Sequence, residues 1–116
     1  INVIESSTID YNVKDLIITA THKQKDIYTE RYKDKDKYVV LENSRDYSNG
    51  EIVYEKIPKT KMEMRHAFTI HSIQGETATE SLFIDMNKMK SMRMMYTAIS
   101  RAKYLSQIKF IRSEKV

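Results

Sequence analysis

Short apolar runs recur along the chain, each closed by polar or turn-forming residues, and their periods separate strands from helices. Leu16-Ile17-Ile18-Thr19-Ala20 is compact, apolar and rich in β-branched side chains, the pattern of a buried strand. Thr21-His22-Lys23-Gln24 follows as a capping box, in which the threonine hydroxyl accepts from the third residue's N–H and Gln24 reaches back. The spacing predicts a helix to about Tyr32, with Tyr28 and Tyr32 on one face. Tyr38-Val39-Val40-Leu41 and Ile52-Val53-Tyr54 flank a polar stretch ending in Asn49-Gly50, which predicts a hairpin-like insertion over 37–57, closed by Pro58. Ala67-Phe68-Thr69-Ile70, Leu82-Phe83-Ile84-Asp85-Met86 and Ile108-Lys109-Phe110-Ile111 read as three further strands. From Ser91, the residues Met92, Met95, Tyr96 and Ile99 fall at i, i+3, i+4 and i+7, one stripe of an amphipathic helix expected to face the core. Strands alternating with helices predict an α/β fold, with a largely parallel sheet and right-handed crossovers, in a single domain over 1–116.

Composition narrows the classes without choosing among them. Apolar residues make up 41% and charged residues 31% of 116, an ordinary globular balance. No run approaches the roughly 18 apolar residues that a membrane span needs, and no signal-peptide pattern opens the chain. Since the chain starts at Ile1 rather than Met, it is expected to be a piece of a longer protein. Absence of cysteine excludes disulfides and thiolate metal sites and fits an intracellular setting, cytoplasm or nucleus. His22, His66 and His71 have no metal-ligand spacing, so no metal site is expected on the chain itself. The net charge of +4 permits nucleic-acid binding without arguing for it, and Lys33-Asp34-Lys35-Asp36-Lys37 reads as a solvated loop. Abundant Lys, Ile, Tyr and Asn match an AT-rich genome such as that of a large DNA virus or a parasite, which would add a viral replication site to the settings.

Two segments could carry chemistry. Arg93, Thr97, Ser100, Arg101 and Tyr104 fall at i, i+4, i+7, i+8 and i+11, opposite the methionine stripe. Two guanidiniums and two hydroxyls along one side could cradle an anion, although by spacing alone such a face is more often simply solvated. The turn from Thr69 to Thr77 ends a strand in hydroxyl, imidazole and amide groups before a glycine, and could present donors to a phosphate. No acid–imidazole–nucleophile triad accompanies either segment.

Together they carry a resemblance. Ala67-Phe68-Thr69-Ile70-His71-Ser72-Ile73-Gln74-Gly75-Glu76-Thr77 resembles motif V of RecD-like superfamily 1 helicases, and Tyr96-Thr97-Ala98-Ile99-Ser100-Arg101-Ala102-Lys103 resembles motif VI. Upstream, 16–24 is similar to motif IV, and the stretch from Asn43 to Glu51 to the family's asparagine–glycine stretch, so the likeness covers about 16–111. It implies the second RecA-like motor domain of an ATP-dependent DNA helicase active in DNA replication, with ATP and Mg²⁺ bound jointly with an N-terminal RecA-like domain. Arg101 would be the catalytic arginine reaching the γ-phosphate, with Gln74, Gly75, Glu76 and Arg93 also on the ATP side. Thr69, His71, Ser72, Thr21 and His22 would contact a single strand, DNA rather than RNA.

The sequence departs from the family at several points. Thr97 stands where an apolar residue is commoner, and His22 where motif IV has Asn. Thr77 occupies the place of the ribose-binding Glu of UvrD-type members, which leaves a ribose role for Glu76 in doubt. The stretch from Glu55 to Met62 is too short for the SH3-like insertion of many relatives. The glycine-rich phosphate loop ending in Lys-Ser/Thr is missing, since neither Gly50 nor Gly75 has that context, so the chain alone is expected to be inactive. Two other readings stay open: an RNA helicase domain, whose relatives usually carry Asp-Ala or Asp-Ser where this chain has His71-Ser72, and a degenerate RecA-like interaction module.

Overall fold

The computed structural model describes residues 3–72 and 76–112. Among these, five strands form a wholly parallel sheet in the order β1 (Val3–Glu5), β8 (Ile108–Arg112), β7 (Leu82–Asp85), β2 (Leu16–Thr19), β6 (Phe68–Thr69). Strands β3 (Tyr38–Val40), β4 (Ile52–Val53) and β5 (Met62–Met64) make a separate antiparallel sheet with β3 in the middle. The expected α/β architecture is therefore present.

Alternation along the strands builds the layers. Leu16 and Ile18 of β2, with Leu82 and Ile84 of β7, pack in one cluster with Ala98 of helix α2 (Met92–Ile99). Ile17 and Phe83 point the other way, into a cluster with Ile111 and Tyr28 of helix α1 (His22–Arg31). One helix thus covers each face of the sheet. Both central strands are buried at every position, as a parallel sheet between helices requires. No described helix is long and apolar enough to cross a membrane.

The small sheet extends past the expected hairpin, because β5 adds a third strand to β3 in the register Val39↔Glu63. Its sequence, Met62-Glu63-Met64, lacks β-branched residues and gave no strand signal. Both methionines nevertheless pack against the small sheet's own cluster of Tyr38, Val40 and Val53. Val39 points oppositely, into the main core, and ties the two sheets together. The turn before β4 holds Gly50 at φ +93°, a left-handed conformation that a Cβ would strain, and the Gly50 N–H donates to the Val40 carbonyl at 2.8 Å. Edge strand β1 was also unforeseen; it pairs with β8 alone.

Helix α2 is rotated from the expected orientation. Met92 and Tyr96 are 87% and 76% exposed, so the stripe expected in the core is split. The buried side consists of Met94, Met95, Ala98 and Ile99, because Ala98 is the residue small enough to approach the sheet closely. The helix also stops at Ile99 with Ser100 as its C-cap, so the second face does not run on unbroken to Tyr104.

A buried polar link crosses the layers. The Tyr28 hydroxyl on α1 donates to Asp85 Oδ2 at 2.7 Å, and the Asn87 N–H donates to Oδ1 at 2.8 Å. Asp85 is completely buried, so losing one donor leaves a carboxylate without either water or a full set of partners. Tyr28→Phe is expected to destabilise the fold by about 1–3 kcal/mol, read as a lower urea midpoint at unchanged slope. An unchanged midpoint would show that the link is energetically idle.

Candidate functional site

Parallel register places the candidate segments side by side. Thr19 pairs with Thr69, so β2 and β6 end at the same level and their exits share the carboxyl edge of the sheet. Beyond β2, the Thr19 hydroxyl donates to the Thr21 carbonyl at 2.9 Å, and Thr21 caps α1 by accepting from the Gln24 N–H at 3.4 Å. The capping box is only half made: Gln24 Oε1 is buried and finds no donor among the described residues. His22, the first residue of α1, is exposed.

Beyond β6 the chain makes a single 3₁₀ turn over Ile70–Ser72. Thr69 is buried, and its hydroxyl lies 3.0 Å from Ser72 Oγ, which itself donates to the Thr69 carbonyl at 3.1 Å. This pair folds the turn back on its own strand and leaves His71 and Ser72 exposed. Gln74 and Gly75 lie outside the described residues. Glu76 is half-buried and Thr77 exposed.

The second segment is joined to this turn through its backbone. Helix α2 packs against Ile70–Ser72. Just past Thr77, the Ala78 N–H donates to the Arg101 carbonyl at 2.8 Å, and Ala78 and Ala102 form an isolated parallel bridge. The Gln107 amide closes the same junction, donating to the carbonyls of Ala78 at 3.0 Å and Glu80 at 2.7 Å. Its oxygen accepts from the N–H groups of Lys103 and Tyr104, both at 2.8 Å. Nothing in the sequence marks Gln107 for this part, since its partners are all main-chain groups.

Arg101 sits on the turn after α2, half-buried. Its Nη2 donates to Ser100 Oγ at 3.3 Å, while its Nε is buried and meets no acceptor among the described residues. Arg93 is exposed on the first turn of α2. The two hydroxyls between them turn inward: Thr97 donates to the Arg93 carbonyl at 2.9 Å and Ser100 to the Thr97 carbonyl at 2.8 Å. With those donors engaged by the helix, the guanidiniums are what this face offers an anion.

These elements have the shape of part of several solved structures. Bacteroides Pif1 bound to single-stranded DNA superposes with a TM-score of 0.67 at 14% identity, covering 92% of this chain and 42% of that one. Candida albicans Pif1 helicase gives 0.68 at 11%, covering 95% and 46%, and unliganded Bacteroides Pif1 gives 0.57 at 13%, covering 87% and 52%. The likeness is to Pif1 helicases. At these identities it establishes the fold, a RecA-like α/β domain, and the chain spans about half or less of each of these proteins. No family model matches the chain, and no curated protein matches it significantly.

A buried cation lies beneath the small sheet. Lys37, expected on a solvated loop, is 2% exposed instead; its Nζ donates to the Asp15 carbonyl at 2.7 Å and the Tyr11 hydroxyl at 3.4 Å. The Tyr11 hydroxyl also meets His66 Nδ1 at 3.0 Å. Burial lowers the Lys37 ammonium to about 8, and it lowers His66 as well. An unfolded lysine titrates near 10.5, so between about pH 8 and that value the unfolded chain binds the extra proton and rising pH favours the folded state. Tyr11 and Tyr28, both raised by burial, act oppositely as unfolded tyrosines ionise, from approaching pH 10 upward. The Lys37 contribution to stability is therefore expected to rise by roughly 2 kcal/mol from pH 8 to 10, and Lys37→Met to flatten the measured rise by about that amount. Denaturant midpoints across this range give the check; an equal slope in the variant would contradict it.

Proposed function

We propose that this chain is the second RecA-like motor domain of an ATP-dependent DNA helicase, with Arg101 as the charge-stabilising arginine. One observation carries the reading. The backbone at Ala78, just past the segment resembling motif V, is bonded to Arg101 of the segment resembling motif VI, and Arg101 has a buried Nε without an acceptor among the described residues. A guanidinium with unused donor capacity suits a phosphate brought in from outside.

On this reading ATP and Mg²⁺ are held between this domain and an N-terminal RecA-like domain that carries the phosphate loop. This side contributes Arg101 and Arg93, together with Gln74 and Gly75; Glu76, expected with them, instead lines the cavity beside the small sheet. The bound Mg²⁺–ATP supplies the transferable phosphoryl group; Arg101 stabilises the charge that builds on it. His71 and Ser72, with Thr21 and His22 beside them on the carboxyl edge, receive the single strand. Thr69 is buried, so it acts by fixing Ser72 rather than by touching the strand. DNA is preferred as substrate because two of the similar structures are described as bound to single-stranded DNA and as unwinding forked duplex DNA, and because His71-Ser72 replaces the pair usual in RNA-directed relatives.

In the protein that carries both motor domains, Arg101→Ala is expected to lower ATP turnover about 10³-fold or more, measured as phosphate release at saturating DNA. Turnover within a few-fold of the parent would contradict the assignment. The chain by itself is expected to bind single-stranded DNA weakly, each neutralised phosphate adding roughly −0.7 to the slope of log affinity against log salt. A salt-independent affinity, or equal unwinding of RNA and DNA duplexes by the two-domain protein, would count against the strand contacts and the DNA preference respectively.

A further inference from the structure

Between the small sheet and the Ile70–Ser72 turn lies a cavity of about 360 Å³, lined by Val39 and Phe68 below and by Ser48, Asn49, Gly50, Glu51, Arg65, Ser72 and Glu76 around it. Arg65 is the cation in this wall. Its Nη2 pairs with Glu63, its guanidinium lies 5.9 Å from the centre of the Phe68 ring, and its Nε is buried without an acceptor among the described residues. Ser72, the exposed end of the candidate strand-binding turn, forms part of the rim.

The charge balance selects the kind of group that fits. Glu51 and Glu76 line the same space, and the single guanidinium already has a carboxylate partner in Glu63. A phosphodiester entering here would meet more negative than positive charge. A nucleobase meets the opposite situation: a planar guanidinium to stack on, an apolar floor, and carboxylate oxygens able to accept from an exocyclic amino group. The volume lies near the lower end of the roughly 300–1,000 Å³ range of small-molecule sites, with room for a base. We propose that this cavity receives one base of the bound single strand, stacked on Arg65 while the adjoining turn holds the backbone. The small sheet, through Ser48 to Glu51, thereby becomes part of the strand-binding surface. The inference rests on the preceding reading that the Ile70–Ser72 turn contacts single-stranded DNA.

The test compares fluorescence anisotropy of the chain with a deoxycytidine oligomer and with an oligomer of equal length and phosphate number carrying abasic spacers. The base-bearing strand is expected to bind about five- to tenfold tighter. Arg65→Lys keeps the charge and removes the plane, and Ser48→Leu, on an exposed turn, narrows the cavity without touching Arg65. Each is expected to bring the two affinities together while circular dichroism melting shows the fold retained. Equal, salt-dependent affinities of the parent for both strands would overturn the base pocket and leave the strand-binding reading standing. A preference for bases that persists in both folded variants would overturn it too. Absence of binding to either strand would overturn both.

Discussion

The hydrogen bond from the Ala78 N–H to the Arg101 carbonyl is the constraint on which the candidate site depends. It is a main-chain bond, so it fixes the two segments irrespective of the side chains they carry. Ala78 is buried, and a backbone donor left unpaired there would be costly. On one side of the bond lies the stretch that leads into β7; on the other lies the turn that ends α2 and bears Arg101. Helix α2 also packs against Ile70–Ser72, and a change in either segment is therefore felt by the other.

Around that junction, hydrogen-bond capacity is divided unevenly. Thr69 directs its hydroxyl to that of Ser72, and Thr97 and Ser100 direct theirs to nearby carbonyls, so all three hold local geometry. Arg101 and Arg65 keep a buried Nε that nothing described in the chain satisfies. A guanidinium in that condition is pre-organised for a ligand at the cost of some stability, a common relation between rigidity and function in binding sites. One of the two stands beside the α2 junction and the other between the sheets, which suits one for a phosphate and the other for a base.

The strands were legible in the sequence because burial on both faces leaves continuous apolar runs, as at Leu16–Thr19 and Leu82–Asp85. The Thr21 cap was legible because capping is local chemistry. What the sequence hid depends on distant partners. The orientation of α2 is set by which residue lets the helix approach the sheet, and Ala98 outweighs the larger Met92 and Tyr96. Lys37 belongs to an alternating charge run, and its burial depends on partners distant in sequence, the Asp15 carbonyl and the Tyr11 hydroxyl. Residues resembling motifs V and VI were visible as strings of letters, whereas the bond joining them is carried by main-chain atoms and the Gln107 amide, which no string displays.

The most direct measurement is a structure of the two-domain protein with Mg²⁺ and a non-hydrolysable ATP analogue. The account predicts the Arg101 guanidinium within roughly 2.7–3.2 Å of a γ-phosphate oxygen, with the Ala78–Arg101 backbone bond intact. A γ-phosphate satisfied by other side chains, with Arg101 turned into its own domain, would contradict it.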